Sequence, residues 1–256
     1  MDSQIRSMSF PLVNGIIPVI GLRSIIDGSS GKHGATVIIY GGSKEENFRF
    51  TVADSLGEKL ASLDFNIYCF DFRSNLDASR FHEFGLFDRL EDVREVVRWV
   101  LETEKAPLSL LGVSMGGPLA VTIAAELGDK IKNLFLVAPA AYHRDAMKPE
   151  VKFGEQFSEI IGKGKSEETW RDSNSLEEIK NICTNILVIK FREDEVTKYQ
   201  PKAYFDSIGP QATRTRNVRM VTLEGPHNGT YVPSQRQEDI AGAIRAFLAL
   251  PSMARD

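Results

Sequence analysis

Cysteine and histidine are scarce in this 256-residue sequence, which contains two cysteines and four histidines. Cys69 and Cys183 are far apart, and neither belongs to a Cys-x-x-Cys pair of the kind found in zinc sites and redox motifs. Each lies in an apolar run, where an unpaired cysteine behaves as a small hydrophobic residue. We therefore expect two buried, reduced thiols in a cytoplasmic protein, with no metal site.

The sequence also lacks a long uninterrupted apolar run and an excess of charge of one sign. The N-terminal apolar stretch is broken by Asn14, Gly15 and Pro18, and it has neither the basic start nor the cleavage site of a signal peptide. No other stretch approaches the ~18 apolar residues of a spanning helix. With 31 basic and 35 acidic residues the formal net charge is −4, which offers no positive surface to a polyanion. We expect no transmembrane segment and no nucleic-acid partner.

What is present is the composition of a folded globular protein, with 42% hydrophobic and 26% charged residues. The length suits one large α/β domain better than two full domains. Short apolar runs alternate with helical patterns such as the amphipathic segment 88–104. The runs are residues 35–40, 66–70, 108–113, 133–138, 185–191 and 218–224. Continuous apolar runs are typical of strands buried on both faces, so the pattern predicts a doubly wound, mostly parallel α/β sheet.

One connection is longer than a crossover helix requires. Residues 141–181 are predicted to form a short helical cap inserted into a core made of residues 1–140 and 182–256. Within the cap, Phe153 and Phe157 begin an apolar stripe at helical spacing. An insertion at this point lies over the carboxyl edge of the sheet, where open α/β folds bind their ligands. The stripe is expected either to pack the cap on the core or to line a substrate pocket.

The most specific pattern is Gly112-Val113-Ser114-Met115-Gly116, which joins a predicted buried strand to a predicted helix. A serine on so sharp a turn has a strained backbone, and the residues two before and two after it approach too closely to carry side chains. The following helix directs its N–H groups and its dipole at an oxyanion formed at the serine. The pattern predicts a nucleophile at Ser114. The alternative is a glycine-rich turn with no catalytic duty.

A serine hydroxyl needs a general base and a group that orients the base. His227 follows the last predicted strand in a Gly-Pro-His turn that can return an imidazole to the carboxyl edge of the sheet. Asp194 follows the preceding strand and could accept a hydrogen bond from that imidazole. Asp145, after an earlier strand, is the alternative acid. The order Ser114, Asp194, His227 agrees with the order expected around a nucleophile elbow.

An oxyanion formed at the serine needs backbone donors. The sequence Gly41-Gly42-Ser43 follows the first predicted strand, and a glycine-rich turn there can present an N–H group toward the nucleophile. We predict Gly42 and Met115 as the two donors of an oxyanion hole. A plain turn is the alternative for the glycine pair.

These residues resemble the α/β-hydrolase superfamily, whose small serine esterases, thioesterases and monoacylglycerol-lipase-like members are similar over nearly the whole chain. The matching motifs are Gly-Val-Ser-Met-Gly-Gly at the elbow, Gly-Gly after the first strand, Asp-Phe-Arg from residue 71, Glu-Asp-Glu-Val at the acid turn and Gly-Pro-His at the histidine. The resemblance implies hydrolysis through an acyl-enzyme without a cofactor. Tyr40, Ser74 and the pair Lys190-Phe191 depart from it, since relatives usually have His, Gly and His-Gly there.

Three functions follow from this reading of the sequence. The first is hydrolysis of a small-molecule ester or thioester, including a carrier-bound acyl group, with an apolar acyl chain held by Tyr40, Phe153, Phe157 and Trp170. The second is an acyltransferase or cyclising thioesterase that uses the same triad but excludes water. The third is a non-catalytic ligand-binding protein, because a fold does not imply a function.

Overall fold

The computed structural model describes residues 4–10, 12–25, 32–41, 55–162, 168–209, 217–227 and 235–250. Its strands are β1 (Gln4–Ser9), β2 (Val19–Ile25), β3 (Ala35–Ile39), β4 (Asn66–Phe70), β5 (Leu108–Val113), β6 (Ile131–Val137), β7 (Asn185–Phe191) and β8 (Val218–Leu223). They form one eight-stranded sheet in the order β1-β2-β4-β3-β5-β6-β7-β8. The pairs β1–β2 and β2–β4 are antiparallel, and every other pair is parallel. The predicted α/β class with a mostly parallel sheet is confirmed.

The helices of the described residues lie between strands, except the last, which follows β8, and they cover both faces of the sheet. They are α1 (Leu56–Ala61), α2 (Arg73–Leu76), α3 (Leu86–Thr103), α4 (Gly116–Leu127), α5 (Glu155–Ile160), α6 (Asn174–Glu178), α7 (Gln200–Ser207) and α8 (Gln235–Leu248). Short 3₁₀ turns, among them Ala78–Glu83 before α3, connect several of them. None of the helices that the structure describes is both long and apolar enough to cross a membrane.

Alternate residues of each central strand belong to opposite core layers. In β3, Val37 and Ile39 pack in the layer that contains α3 and α4, whereas Ile38 packs in the layer that contains α1 and α8. Because both faces of the strand are covered, every residue of β3 is buried. This two-sided burial explains why the sequences of the central strands are continuous apolar runs.

The two antiparallel strands are not indicated by the sequence pattern. β1 and β2 are joined through a tight turn in which Asn14 and Gly15 have φ angles of 50° and 71°, and Val13 bridges Ile17. The same residues interrupt the apolar stretch, so the run has neither strand nor helix periodicity over its whole length. The turn is the reason for the interruption.

Two expectations about burial are wrong. Cys183 is exposed, because it lies in the connection before β7 and not in the strand, with its thiol directed at the carbonyl of Asn181. Cys69, in β4, is buried as expected. In β8 only Val218 is buried, because β8 is an edge strand with a neighbour on one side only.

The segment between β6 and β7 packs against the start of α3. The backbone N–H of Phe153 donates to the carbonyl of Phe84 at 2.7 Å. A Cβ atom on Gly85 would lie 2.0 Å from the carbonyl oxygen of Val151, so the two segments are in backbone contact there. Phe153 precedes α5 and is not part of it, which differs from the single amphipathic helix that the spacing predicts. The two rings of the stripe nevertheless meet, since the centroids of Phe153 and Phe157 are 5.1 Å apart.

We expect Gly85→Ala to lower the free energy of unfolding by about 2 kcal/mol, because the new methyl group must displace backbone at Val151. Gly242→Ala in α8 is the control, since its Cβ would meet nothing within 4 Å and alanine favours a helix over glycine by up to ~1 kcal/mol. Urea denaturation measures both. Equal stability of Gly85→Ala and the unsubstituted protein would show that the contact at Gly85 is not tight.

Candidate active site

Ser114 occupies a strained turn between β5 and α4. Its φ angle is +51°, in the left-handed region that residues with side chains seldom adopt. The conformation is held by backbone hydrogen bonds: the N–H of Ser114 donates to Val137 at 3.0 Å, and its carbonyl accepts from Gly117 and Ala140, both at 2.9 Å. Strain of this kind persists where the surroundings over-determine the backbone. Here β6 and the first turn of α4 do so.

The two glycines of the elbow are required by close backbone approach. A Cβ on Gly116 would lie 1.9 Å from the carbonyl oxygen of Ile39, and a Cβ on Gly112 would lie 2.7 Å from the carbonyl oxygen of Gly116. Real Cβ atoms do not come so close to backbone atoms. The spacing of the glycines around Ser114 therefore has the steric cause that the sequence pattern predicts.

The structure brings together the three residues singled out as a triad. The hydroxyl of Ser114 lies 2.9 Å from Nε2 of His227, and Nδ1 of His227 lies 2.8 Å from Oδ2 of Asp194. Asp194 can only accept when ionised, so Nδ1 carries the proton and Nε2 is left to accept from the hydroxyl. All three side chains are buried. The arrangement is a continuous relay from a carboxylate to a serine hydroxyl.

Asp194 is held in its charged form by several donors. Its Oδ1 accepts from the N–H groups of Val196 and Thr197, each at 2.8 Å, and its Oδ2 accepts from the Thr197 hydroxyl at 2.7 Å. Burial alone would raise the pKa of Asp194, but the hydrogen bonds from His227 and Thr197 outweigh it and hold that pKa below its usual value. The carboxylate therefore stays negative beside the imidazole.

Thr197 is a site residue that the sequence analysis does not identify. The signal available is its spacing, because an aspartate followed three residues later by threonine is typical of turns in which side chains bond the local backbone. The alternative acid, Asp145, is partly exposed and pairs with Lys148 at 2.9 Å, whereas the carboxylate that contacts His227 is that of Asp194.

Met115 lies where an oxyanion donor is expected. It is the N-cap of α4, and the first N–H groups of a helix have no partner within the helix. A Cβ on Gly41 would lie 2.5 Å from Cβ of Met115, so the segment just after β3 reaches this residue. Gly42, the other predicted donor, lies outside the described residues.

The four predicted pocket residues lie in three places. Phe153 and Phe157 belong to one buried cluster together with Met115, the residue after Ser114. Tyr40 is buried in the core layer that contains α1 and α8. Trp170 lines a separate cleft of about 400 Å³ between the insertion and α7. The structure does not join these four side chains into one pocket.

A second cavity of about 230 Å³ lies beside the cluster around Met115. It is bounded by α3, α4 and the insertion, and Tyr142 and Met147 line it while also packing on the cluster. Pro118, about one turn along the chain from Ser114, is part of its wall. Among the described residues, no three His, Cys, Asp or Glu side chains are grouped so that they could hold a metal ion.

Comparisons with known proteins agree with this architecture. The model of the Hydrolase_4 family, described as serine aminopeptidase, S33, matches residues 31–205. No curated protein matches the sequence.

Three solved structures with the same fold are similar to this chain over nearly their whole length. Est1E from Butyrivibrio proteoclasticus with bound ferulic acid is 18% identical, with a TM-score of 0.65, over 94% of this chain and 97% of the other. A serine hydrolase without a lid from Xanthomonas campestris is 18% identical, with a TM-score of 0.61, over 97% and 95%. The esterase Est2 from Thermogutta terrifontis is 15% identical, with a TM-score of 0.63, over 96% and 91%.

The Thr197 hydroxyl makes a testable contribution to the charge of Asp194. A carboxyl group whose pKa is lowered by folding adds stability at neutral pH, and this stability is lost as the pH falls through the lowered pKa. Thr197→Val removes the hydroxyl donor, so we expect it to lower the free energy of unfolding at pH 7 by about 2 kcal/mol, the scale of a hydrogen bond to a charged group. The difference in the free energy of unfolding between Thr197→Val and the unsubstituted protein should become smaller as Asp194 becomes protonated in acid.

Thr197→Ser is the matched control, because it keeps the donor at the same position, and it should behave as the unsubstituted protein does. Urea denaturation at a series of pH values measures all three proteins. If the free energy of unfolding of Thr197→Val is lower by the same amount at every pH, the cause is lost packing and not the charge on Asp194.

Proposed function

Because the chain belongs to the Hydrolase_4 family (serine aminopeptidase, S33) in the α/β-hydrolase superfamily, we propose that it is a serine hydrolase that cleaves a carboxylic ester or thioester. The observation that supports this proposal is the relay from Ser114 through His227 to Asp194, with heavy-atom distances of 2.9 and 2.8 Å. Such a relay makes a serine hydroxyl nucleophilic toward a carbonyl carbon.

The first half of the reaction forms an acyl-enzyme. The hydroxyl oxygen of Ser114 attacks the carbonyl carbon while Nε2 of His227 takes its proton, and Asp194 stabilises the resulting imidazolium. The negative charge that develops on the carbonyl oxygen is bound by the backbone N–H of Met115 and by a second donor, for which Gly42 is our candidate. Collapse of this intermediate expels the alcohol or thiol, which receives the proton from His227.

The second half of the reaction releases the acyl group. Water attacks the acyl carbon with His227 again as the base, and the carboxylic acid leaves when the bond to Ser114 breaks. An alcohol, thiol or amine in place of water would make the same site an acyltransferase. The products, identified by mass, distinguish these two acceptors.

An apolar acyl group is the substrate portion that the surroundings of Ser114 favour. The residue that follows the nucleophile, Met115, packs with Phe153 and Phe157, and the cavity of about 230 Å³ is lined by Tyr142 and Met147 of the same region. Charged and polar side chains of α3, α4 and the insertion also line this cavity, and ligand sites commonly combine apolar walls with polar groups that fix orientation. The names of Est1E, solved with ferulic acid, and of the esterase Est2 make carboxylic esters the first substrates to test.

Covalent labelling tests the proposed nucleophile. We expect a fluorophosphonate to add to the wild-type protein once and to leave Ser114→Ala unlabelled, with a loss on the order of 10³ or more in turnover. Ser79→Ala, at an exposed serine, is the control and should be labelled like wild type. Intact mass spectrometry gives the adduct, and a panel of esters, thioesters and amides gives the turnover. An adduct that persists in Ser114→Ala would refute the assignment.

The acyl preference is tested with p-nitrophenyl esters of rising chain length. Each buried methylene contributes up to about 0.8 kcal/mol, or roughly fourfold in kcat/KM, until the pocket is full. The ring of Phe157 lies 5.7 Å from that of Tyr142, which lines the cavity, so Phe157→Ala should enlarge the space and move the optimum to longer chains.

Phe205→Ala is the control for lost aromatic packing, because Phe205 in α7 packs on a different core cluster. It should leave the order of preference unchanged. A wild-type profile that peaks at acetate and keeps its shape in Phe157→Ala would show that the stripe has only a structural role.

A further inference from the structure

A completely buried arginine lies beside the nucleophile elbow. Arg89, in the first turn of α3, has no solvent exposure. A buried charge is costly unless it is hydrogen-bonded, and the guanidinium bonds in three directions. Its Nε donates to Ser74 at 3.0 Å, one terminal nitrogen donates to Oδ1 of Asn75 at 2.9 Å, and the other donates to Sδ of Met115 at 3.2 Å.

Aromatic rings surround the same guanidinium. Its central carbon lies 4.7 Å from the ring centroid of Phe72, 5.5 Å from that of Phe81 and 4.8 Å from that of Phe153. Contacts at these distances add a cation–π attraction, which is largest where water is absent. The rings come from the segment after β4, the turn before α3 and the insertion, so Arg89 connects three parts of the chain.

Met115 is confined from two sides. On one side it abuts Gly41, where a Cβ would lie 2.5 Å from Cβ of Met115, and on the other its sulfur accepts from Arg89. A methionine side chain is flexible, with three rotatable bonds. The hydrogen bond from Arg89 fixes its far end, and the glycine contact fixes its near end. These side-chain contacts act together with the two hydrogen bonds to the Ser114 carbonyl, which shares a peptide plane with the N–H of Met115, to hold that N–H in one place.

Ser74 is explained by the same network. It is buried, and its hydroxyl accepts from Nε of Arg89 and donates to Oδ1 of Asn75 at 2.9 Å. A glycine at this position would offer no acceptor. The departure at Ser74 and the buried Arg89 therefore belong to one arrangement.

We propose that Arg89 is a positioning residue for the oxyanion hole: through the sulfur of Met115 it fixes the backbone donor that binds the developing negative charge. This inference rests on the proposed function, because an oxyanion forms only if Ser114 attacks a carbonyl. Arg89 does not touch substrate in this role. Its effect is on the transition state and not on the binding of the ester.

The principal experiment compares Arg89→Met, Arg89→Lys and Ser74→Gly. Removing an oxyanion donor altogether costs about 10²–10³ in kcat, so a displaced donor in Arg89→Met should cost about tenfold or more, with KM changed less than twofold. Lysine keeps one donor for the Met115 sulfur and should recover part of the loss. Ser74→Gly removes only the Nε acceptor and should show a smaller loss of the same kind. Arg98→Met is the control, because Arg98 lies on the same helix with its side chain 61% exposed.

A trifluoromethyl ketone supplies the readout that separates positioning from general destabilisation. The hydroxyl of Ser114 adds to its carbonyl and gives a tetrahedral oxyanion, so its inhibition constant should rise by the same factor by which kcat falls. Fluorophosphonate titration gives the concentration of folded sites, and kcat is calculated per titrated site. A fall in kcat with an unchanged inhibition constant would overturn the proposal. If Arg89→Met does not fold, unchanged kinetics in both Ser74→Gly and Arg89→Lys would overturn it.

A measurement that needs no activity keeps this inference distinct from the proposed function. With methionine labelled by ¹³C in its methyl group, the Met115 resonance is assigned from Met115→Leu, and it should shift or broaden in Arg89→Met and Ser74→Gly but not in Arg98→Met. Failure of the wild-type protein to react with fluorophosphonate would refute the proposed function. Normal labelling with unchanged kcat and an unchanged Met115 resonance in the Arg89 and Ser74 variants would refute only the role of Arg89.

Discussion

The site depends on one backbone constraint, the left-handed conformation of Ser114 at the end of β5. With φ at +51°, the chain turns sharply enough to start α4 beside the carbonyl oxygen of Ile39, which a Cβ on Gly116 would approach to 1.9 Å. That contact with β3 and the hydrogen bond from Ser114 to Val137 of β6 leave the hydroxyl at the carboxyl edge of the sheet. The acid and the histidine follow β7 and β8, so the parallel order of the strands brings them to the same edge.

At this edge of the sheet a fixed anion, Asp194, lies next to the imidazole of His227. Asp194 is buried yet ionised, because Val196, Thr197 and His227 all donate to it. A carboxylate fully supplied with donors does not compete for the Ser114 proton, and it orients the imidazole through a single oxygen. The carboxylate thus fixes the tautomer of His227 while the imidazole remains free to accept the proton. The acid turn is a rigid support, and the chemistry is confined to the bond between Ser114 and His227.

The sequence predicts the parts of this structure that local chemistry determines. Gly112 and Gly116 are dictated by backbone contact. Asp194 follows β7, whose apolar run reflects a strand covered on both faces, and His227 follows the edge strand β8. Contacts that join distant segments leave no comparable pattern. Arg89 appears in the sequence as one charged residue on an amphipathic helix, and its burial follows only when Phe72, Phe81 and Phe153 surround it. The exposure of Cys183 likewise depends on where a connection ends and β7 begins, which an apolar run does not determine.

The contacts of Arg89 also give the insertion a connection to the chemistry. Phe153 is the first aromatic residue of the insertion stripe, and its ring lies both on the guanidinium of Arg89 and against Phe157. The guanidinium in turn bonds the sulfur of Met115, next to the nucleophile. A well-packed interior transmits small displacements because it has little free volume. If the proposed roles hold, a substrate that shifts the rings of the insertion would act on the position of the Met115 donor, so the proposed acyl-binding segment and the proposed oxyanion donor would be coupled through one buried cation.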